Sequence, residues 1–200
     1  MAFDAALTDP SPFVLRASHT PDPIEVMRKR YNVTVLSEEP FLIQFDNFLS
    51  DAECDALKEL GIRAGLARST AGLQRELDTS RTSQTAWLTS PELAYDMVVQ
   101  RIEDKIAEVT NVPKANMEHF QILRYDVGQY YLKHHDYIPE HQKDTCGPRL
   151  ATFFLYLNDV EDGGGTLFDQ INASTGGISV TPKKGRAALW YNTLPTTNYP

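Results

Sequence analysis

The run Tyr131-Leu132-Lys133-His134-His135-Asp136-Tyr137 places an imidazole and a carboxylate two residues apart. On an extended strand, alternate side chains share a face, so His134 and Asp136 point one way and His135 the other. Such a pair makes two-thirds of a 2-His-1-carboxylate facial site, which leaves coordination positions open on a non-haem Fe(II). The nearby histidines, His119 and His141, are poor candidates for the third ligand. His141 follows Pro139 in a polar loop, too close in sequence, and both read as surface residues.

The elements that must position this pair are legible in part. Phe41-Leu42-Ile43-Gln44-Phe45 reads as a strand. Ser50-Asp51-Ala52-Glu53 is a capping box, which predicts a helix from Asp51 to Leu60 stopped by Gly61. Ser90-Pro91 opens a second helix, with Ala94, Val98, Ile102 and Ile106 as its apolar stripe and Asn111 and Pro113 at its end. From Glu118 onward the hydrophobic period falls to two. Strands are expected over 118–125, 129–137, 150–157, 178–181 and 186–191, with turns at Gly163-Gly164-Gly165 and Pro182-Lys183-Lys184-Gly185. Tyr156 shares strand parity with Thr152, so both are expected to face an interior. Helices first and short strands second suggest an α+β arrangement, or a barrel with helices packed outside it. A His-x-Asp site between strands fits a double-sheet jelly roll with N-terminal helices packed on it, whose interior can hold a ligand.

With 200 residues the chain suits one domain. We place it at 40–200, preceded by an irregular segment over 1–39 punctuated by Pro10, Pro12, Pro21 and Pro23, in which Ile24 to Tyr31 reads as a short basic helix. The net charge of −8 argues against nucleic acid or an anionic membrane surface as partner. Cys54 and Cys146 have no metal-ligand spacing and read as free thiols. No apolar run reaches membrane-spanning length, and Met1 to Pro23 lacks the pattern of a secretory signal. Compartment and oligomeric state stay open.

Several ordered blocks resemble the prolyl 4-hydroxylases, within the Fe(II)- and 2-oxoglutarate-dependent dioxygenases. These are Ser80-Arg81-Thr82-Ser83, Tyr125-Asp126-Val127-Gly128-Gln129-Tyr130-Tyr131 leading into the His-x-Asp, Arg149 to Val160, the turn Glu161 to Phe168, and Lys183 to Tyr191. The resemblance implies a double-stranded β-helix. It also implies a reaction in which Fe(II), 2-oxoglutarate and O2, with ascorbate as a supporting reductant, hydroxylate a proline in a peptide or protein and release succinate and carbon dioxide. It allows the endoplasmic reticulum as compartment.

By the same resemblance His134 and Asp136 are the metal ligands, and Tyr125, Tyr156 and Thr166 lie near the cosubstrate. Core packing also accounts for Tyr125, and local capping for the Thr166 hydroxyl. Arg81, Ser83, Glu118, Tyr131 and Arg149 match positions implicated in peptide binding or pocket shape, although an arginine there also serves to hold a loop through a carboxylate. Glu118 has the wrong parity for the site unless the strand bulges. His135 stands where the family has an aromatic and is read as a packing residue.

The family's second metal histidine and the lysine that binds 2-oxoglutarate match no residue here, the chain reading Thr196-Thr197-Asn198-Tyr199-Pro200 at its end. The jelly roll is accordingly expected to lack its last strands. The leading expectation is a piece of a longer, active enzyme. The alternatives are a non-catalytic short form that binds a peptide or partner, and an oxygenase of the same superfamily with a non-proline target.

Overall fold

The computed structural model describes residues 30–70, 79–143 and 147–193. The N-terminal prolines, most of the expected basic helix over Ile24 to Tyr31, Cys146 and the last seven residues lie outside them. Strand β1 (Val33–Ser37) precedes β2 (Leu42–Phe45), helix α1 (Asp51–Ala64), β3 (Ala67–Arg68) and β4 (Gln84–Trp87). Helices α2 (Pro91–Ala94) and α3 (Met97–Thr110) follow, then β5 (Gln121–Arg124), β6 (Ala151–Leu155), β7 (Thr166–Phe168), β8 (Ile178–Val180) and β9 (Ala187–Tyr191). The strands form antiparallel sheets in the orders β1-β2-β9-β6, β3-β4-β5 and β7-β8. The architecture is α+β, as expected. β1 supplies an edge strand inside the segment that sequence reasoning left irregular.

Side-chain alternation gives the main sheet two different faces. Ile43, Phe45, Phe153, Leu155, Ala187 and Leu189 pack with Leu57 and Leu60 of α1 and Ile102 and Ile106 of α3. The odd-numbered positions of β6 thus meet the helices. Leu42, Phe154, Tyr156, Ala188 and Trp190 face the other way, against Phe168 and Ile178, with Val180 at the centre of that cluster. Strands β7 and β8 therefore close a second layer over the inner face. Phe168 meets Trp190 edge-on with ring centroids 5.0 Å apart. The single period-2 pattern places Thr152 inside, on the same face as Tyr156.

Three expected elements are corrected. Gly61 does not stop α1; the helix runs to Ala64 and ends at Gly65, in the left-handed region at φ 84°. Gly61 is needed for close approach to β5, since a Cβ there would lie 2.6 Å from Ile122 Cγ2. Gly61→Ala is expected to destabilise the fold by about 1–2 kcal/mol, an overpacking cost partly offset by better helix propensity. Urea unfolding measures it.

The second helix is broken. α2 ends at Tyr95, and the Asp96 carboxylate accepts from Val98 N at 2.9 Å to cap a fresh helix. That restart shifts the fully buried stripe to Val99, Ile102, Ile106 and Val109. Asn111 caps α3 in the left-handed region, as expected.

Residues 129–137 are not a strand. Only Tyr131 bridges to Arg81, with Leu132 N donating to Ser80 O at 2.8 Å. The next ladder acceptor, Leu132 O, is taken by the ring of His134, and the chain bends away. Likewise β5 starts at Gln121, so Glu118 precedes the strand and its parity places no constraint on it.

Candidate metal centre

His134 and Asp136 converge although they sit on an irregular segment. His134 Nε2 lies 3.2 Å from Asp136 Oδ1. His134 Nδ1 is 2.8 Å from Leu132 O. A carbonyl only accepts, so Nδ1 carries a proton, and in the neutral ring Nε2 holds the lone pair. This is the tautomer a metal-binding histidine needs, fixed by its own backbone.

The other carboxylate oxygen, Oδ2, accepts from Thr152 Oγ1 at 2.7 Å. Burial favours neutral Asp136, but the bonds from His134 and Thr152 and the charge of Arg149 outweigh it and hold the carboxyl below its usual range. Burial also opposes a charged His134. The bonds to Asp136 and Leu132 O override it and raise the imidazole above its usual value.

Two donors on one ion at roughly 2.1 Å and a right angle stand about 3 Å apart, so the pair fits two adjacent coordination positions. Among the described residues, no third histidine, cysteine, aspartate or glutamate joins them. His135 is exposed rather than packed, which corrects the expectation for it. The bend in this segment turns it outward.

Tyr131 stacks on the His134 ring with centroids 3.6 Å apart and planes 18° from parallel. The Arg81 guanidinium covers Tyr131, 4.7 Å from its centroid. Arg81 is itself buried and donates from Nε to Ser83 Oγ at 3.2 Å. Ser83 is fully buried and shares a 2.8 Å hydrogen bond with Ser69. Its side chain has no surface to offer a peptide directly, so of the two expected roles only pocket shape is open to it; it accepts from Arg81 and holds that side chain in place.

Arg149 and Glu118 meet through two bonds, Nε to Oε1 at 2.6 Å and Nη2 to Oε2 at 3.0 Å. The fork geometry ties the start of β6 to the entry of β5. Tyr156 OH lies 2.8 Å from Thr166 Oγ1 and 3.1 Å from Val180 O. These two expected cosubstrate residues thus come together on the inner layer. Tyr125 follows β5 and is exposed, apart from that pair. Lys133 grips Asp169 at 2.8 Å and pins the His-x-Asp segment beside the β7–β8 turn.

Sequence reasoning missed the role of Thr152, although its parity with Tyr156 was the available signal. It also missed Asn192, just past β9, whose Nδ2 donates to Thr152 Oγ1 at 3.0 Å and for which sequence offered no signal.

An imidazole–carboxylate pair on a bent segment, its carboxylate bonded to Thr152 on the inward face of β6, fits the non-haem Fe(II) oxygenase class. Residues 120–197 match the family model described as the 2OG-Fe(II) oxygenase superfamily. The chain is 33% identical to prolyl 4-hydroxylase 5 of Arabidopsis thaliana over 199 residues, covering 91% of this chain and 68% of that protein. It is 35% identical to prolyl 4-hydroxylase subunit alpha-1 of Rattus norvegicus over 164 residues, but spans only 29% of that subunit. The viral collagen prolyl hydroxylase of Paramecium bursaria Chlorella virus-1, solved with 2OG, superposes with a TM-score of 0.57 at 31% identity. That match covers 79% of this chain and 81% of the viral one. The chain belongs to the prolyl 4-hydroxylases, the 2-oxoglutarate-dependent dioxygenases of peptidyl proline, and its fold is the double-stranded β-helix of that group.

Proposed function

We propose that this chain carries the hydroxylation site of a prolyl 4-hydroxylase acting on proline in an extended peptide, with Fe(II) held by His134 and Asp136. One observation carries the reading: Nε2 and Oδ1 stand 3.2 Å apart with Nδ1 already committed to Leu132 O. When bound with 2-oxoglutarate and O2, the iron supplies the oxidation that leaves succinate, carbon dioxide and hydroxyproline, ascorbate keeping the metal reduced.

The protein residues bind and orient. His134 offers its Nε2 lone pair, and Asp136 offers the charge that a dication needs. Tyr156 OH donates to Thr166 Oγ1, leaving the Thr166 proton for a cosubstrate carboxylate, and Tyr125, exposed and apart from that pair, would offer a further donor. Arg81, Tyr131 and His134 form a stacked column with Tyr131 in the middle, so Tyr131 would meet a proline with its ring edge while the buried Arg81 holds it there. Arg149 and Glu118 border the same region and present charge to a peptide backbone. Ser83 acts behind Arg81.

The test incubates the complete-length protein with Fe(II), 2-oxoglutarate, ascorbate and a proline-rich peptide. Succinate release coupled to the gain of one oxygen on a proline supports the reading. A protein that binds Fe(II) and the peptide yet leaves proline unmodified, while oxidising another residue, would replace it with a non-proline oxygenase.

A further inference from the structure

The two oxygens of Asp136 have separate partners. Oδ1 faces His134, and Oδ2 accepts from Thr152 Oγ1 at 2.7 Å. The Thr152 hydroxyl has one proton, and an ionised carboxylate only accepts, so that proton is committed to Oδ2. The Thr152 oxygen is then an acceptor towards everything else. Asn192 Nδ2 lies 3.0 Å from it.

The orientation of the Asn192 amide follows from chemistry. Its nitrogen also stands 3.2 Å from Arg149 O, which only accepts. The NH2 group must therefore face both oxygens, even though Asn192 Oδ1 comes within 3.3 Å of Thr152 Oγ1. The Asn192 backbone is anchored as well, N donating to Leu150 O at 2.9 Å. Asn192 follows β9 and Thr152 lies on β6, in register with Trp190, so the relay crosses two paired strands.

We propose that Asn192 and Thr152 act in series as positioning residues that make Asp136 a one-oxygen metal ligand. Asn192 turns the Thr152 proton towards Oδ2; Thr152 occupies Oδ2 and leaves Oδ1 to the ion. The inference rests on reading His134 and Asp136 as the metal centre. Loss of an outer-shell partner of this kind typically weakens metal binding by about 10–100-fold.

The test is Mn(II) titration of the chain, free Mn(II) being followed by electron paramagnetic resonance. Thr152→Val keeps the shape and deletes both hydrogen bonds, and its Kd should rise about tenfold or more. Thr152→Ser keeps the hydroxyl and should bind close to the parent. Asn192→Ala should lose a smaller factor, and the double variant should be no weaker than Thr152→Val alone, because the residues act in one chain.

An unchanged Kd for Thr152→Val overturns the proposal. So does a Thr152→Ser loss equal to that of valine, or a double loss equal to the product of the single ones. If the valine variant fails to fold by near-ultraviolet circular dichroism, Asn192→Ala decides, and parental affinity there refutes the relay. A parent chain that takes up no Mn(II) instead removes the metal-centre reading, and this inference falls with it.

Discussion

Asp136→Ala is expected to abolish metal binding and turnover together. Among the described residues the carboxylate is the one anion within reach of His134 Nε2, and its side chain is only 24% exposed. Removing it leaves a lone imidazole, and one neutral donor does not retain a dication against water. The loss should exceed the roughly 10–100-fold typical of outer-shell substitutions. Thr152 keeps Asn192 as a partner in this variant, so the fold should survive, and an unfolding curve checks that.

His135→Phe is the matched control. His135 is exposed, and the contacts to Asp136 and Leu132 O are made by His134, so metal binding and succinate release should stay close to parental. A loss equal to that of His134→Ala would show that the ligand is the other histidine.

The largest stability effect is expected away from the site, at Lys105→Met. Glu53 completes the capping box of α1, accepting from Ser50 N at 2.8 Å. Its side chain is 6% exposed and meets Lys105 Nζ of α3 at 2.8 Å through both oxygens. Lys105 also reaches Phe48 O at 3.3 Å. Methionine retains most of the stem but leaves Glu53 buried without its cation. Breaking a buried pair in this way costs about 3 kcal/mol, the low end of the usual range, because Lys105 is itself one-fifth exposed.

The pH dependence follows from the same group. Burial pushes the Glu53 carboxyl up, but the bonds from Lys105 and Ser50 outweigh it and hold it below its ordinary 4.5. A carboxyl with a depressed folded pKa contributes stability that is full above the unfolded value and lost as pH falls through the folded one. The gap between parent and Lys105→Met should therefore be widest near neutrality and narrow below pH 4.5. Urea melts at neutral and acid pH test it; a gap that holds constant into acid would mean that the loss is packing rather than charge.

Local signals served where the physics is local. The Ser50–Glu53 box, the Asn111 stop and the period-2 strands at β2, β6, β8 and β9 depend on neighbours within a few residues, and they formed within a residue or two of expectation. The failures share another cause. Gly61 reads as a helix stop until Ile122, sixty-one positions on, turns out to press against it. Ala94, Val98, Ile102 and Ile106 read as the stripe of one helix until Asp96 caps a new one and shifts the buried face to Val99.

By itself the sequence determined which chemistry is available: an imidazole and a carboxylate two residues apart, ordered blocks of the prolyl 4-hydroxylase family, and strands with one face for helices and one for a cavity. The tertiary structure decided how those groups are held. His134 and Asp136 meet through a bend that frees Leu132 O for the ring, not through strand alternation. Ser83 withdraws behind Arg81, Glu118 closes on Arg149, Thr152 reaches Asp136 from β6, and Asn192 reaches Thr152 from the end of β9. Hydrogen-bond partners are chosen by distance in space: Thr152, which donates to this carboxylate, lies sixteen residues from it along the chain, and Asn192, which donates to Thr152, lies fifty-six.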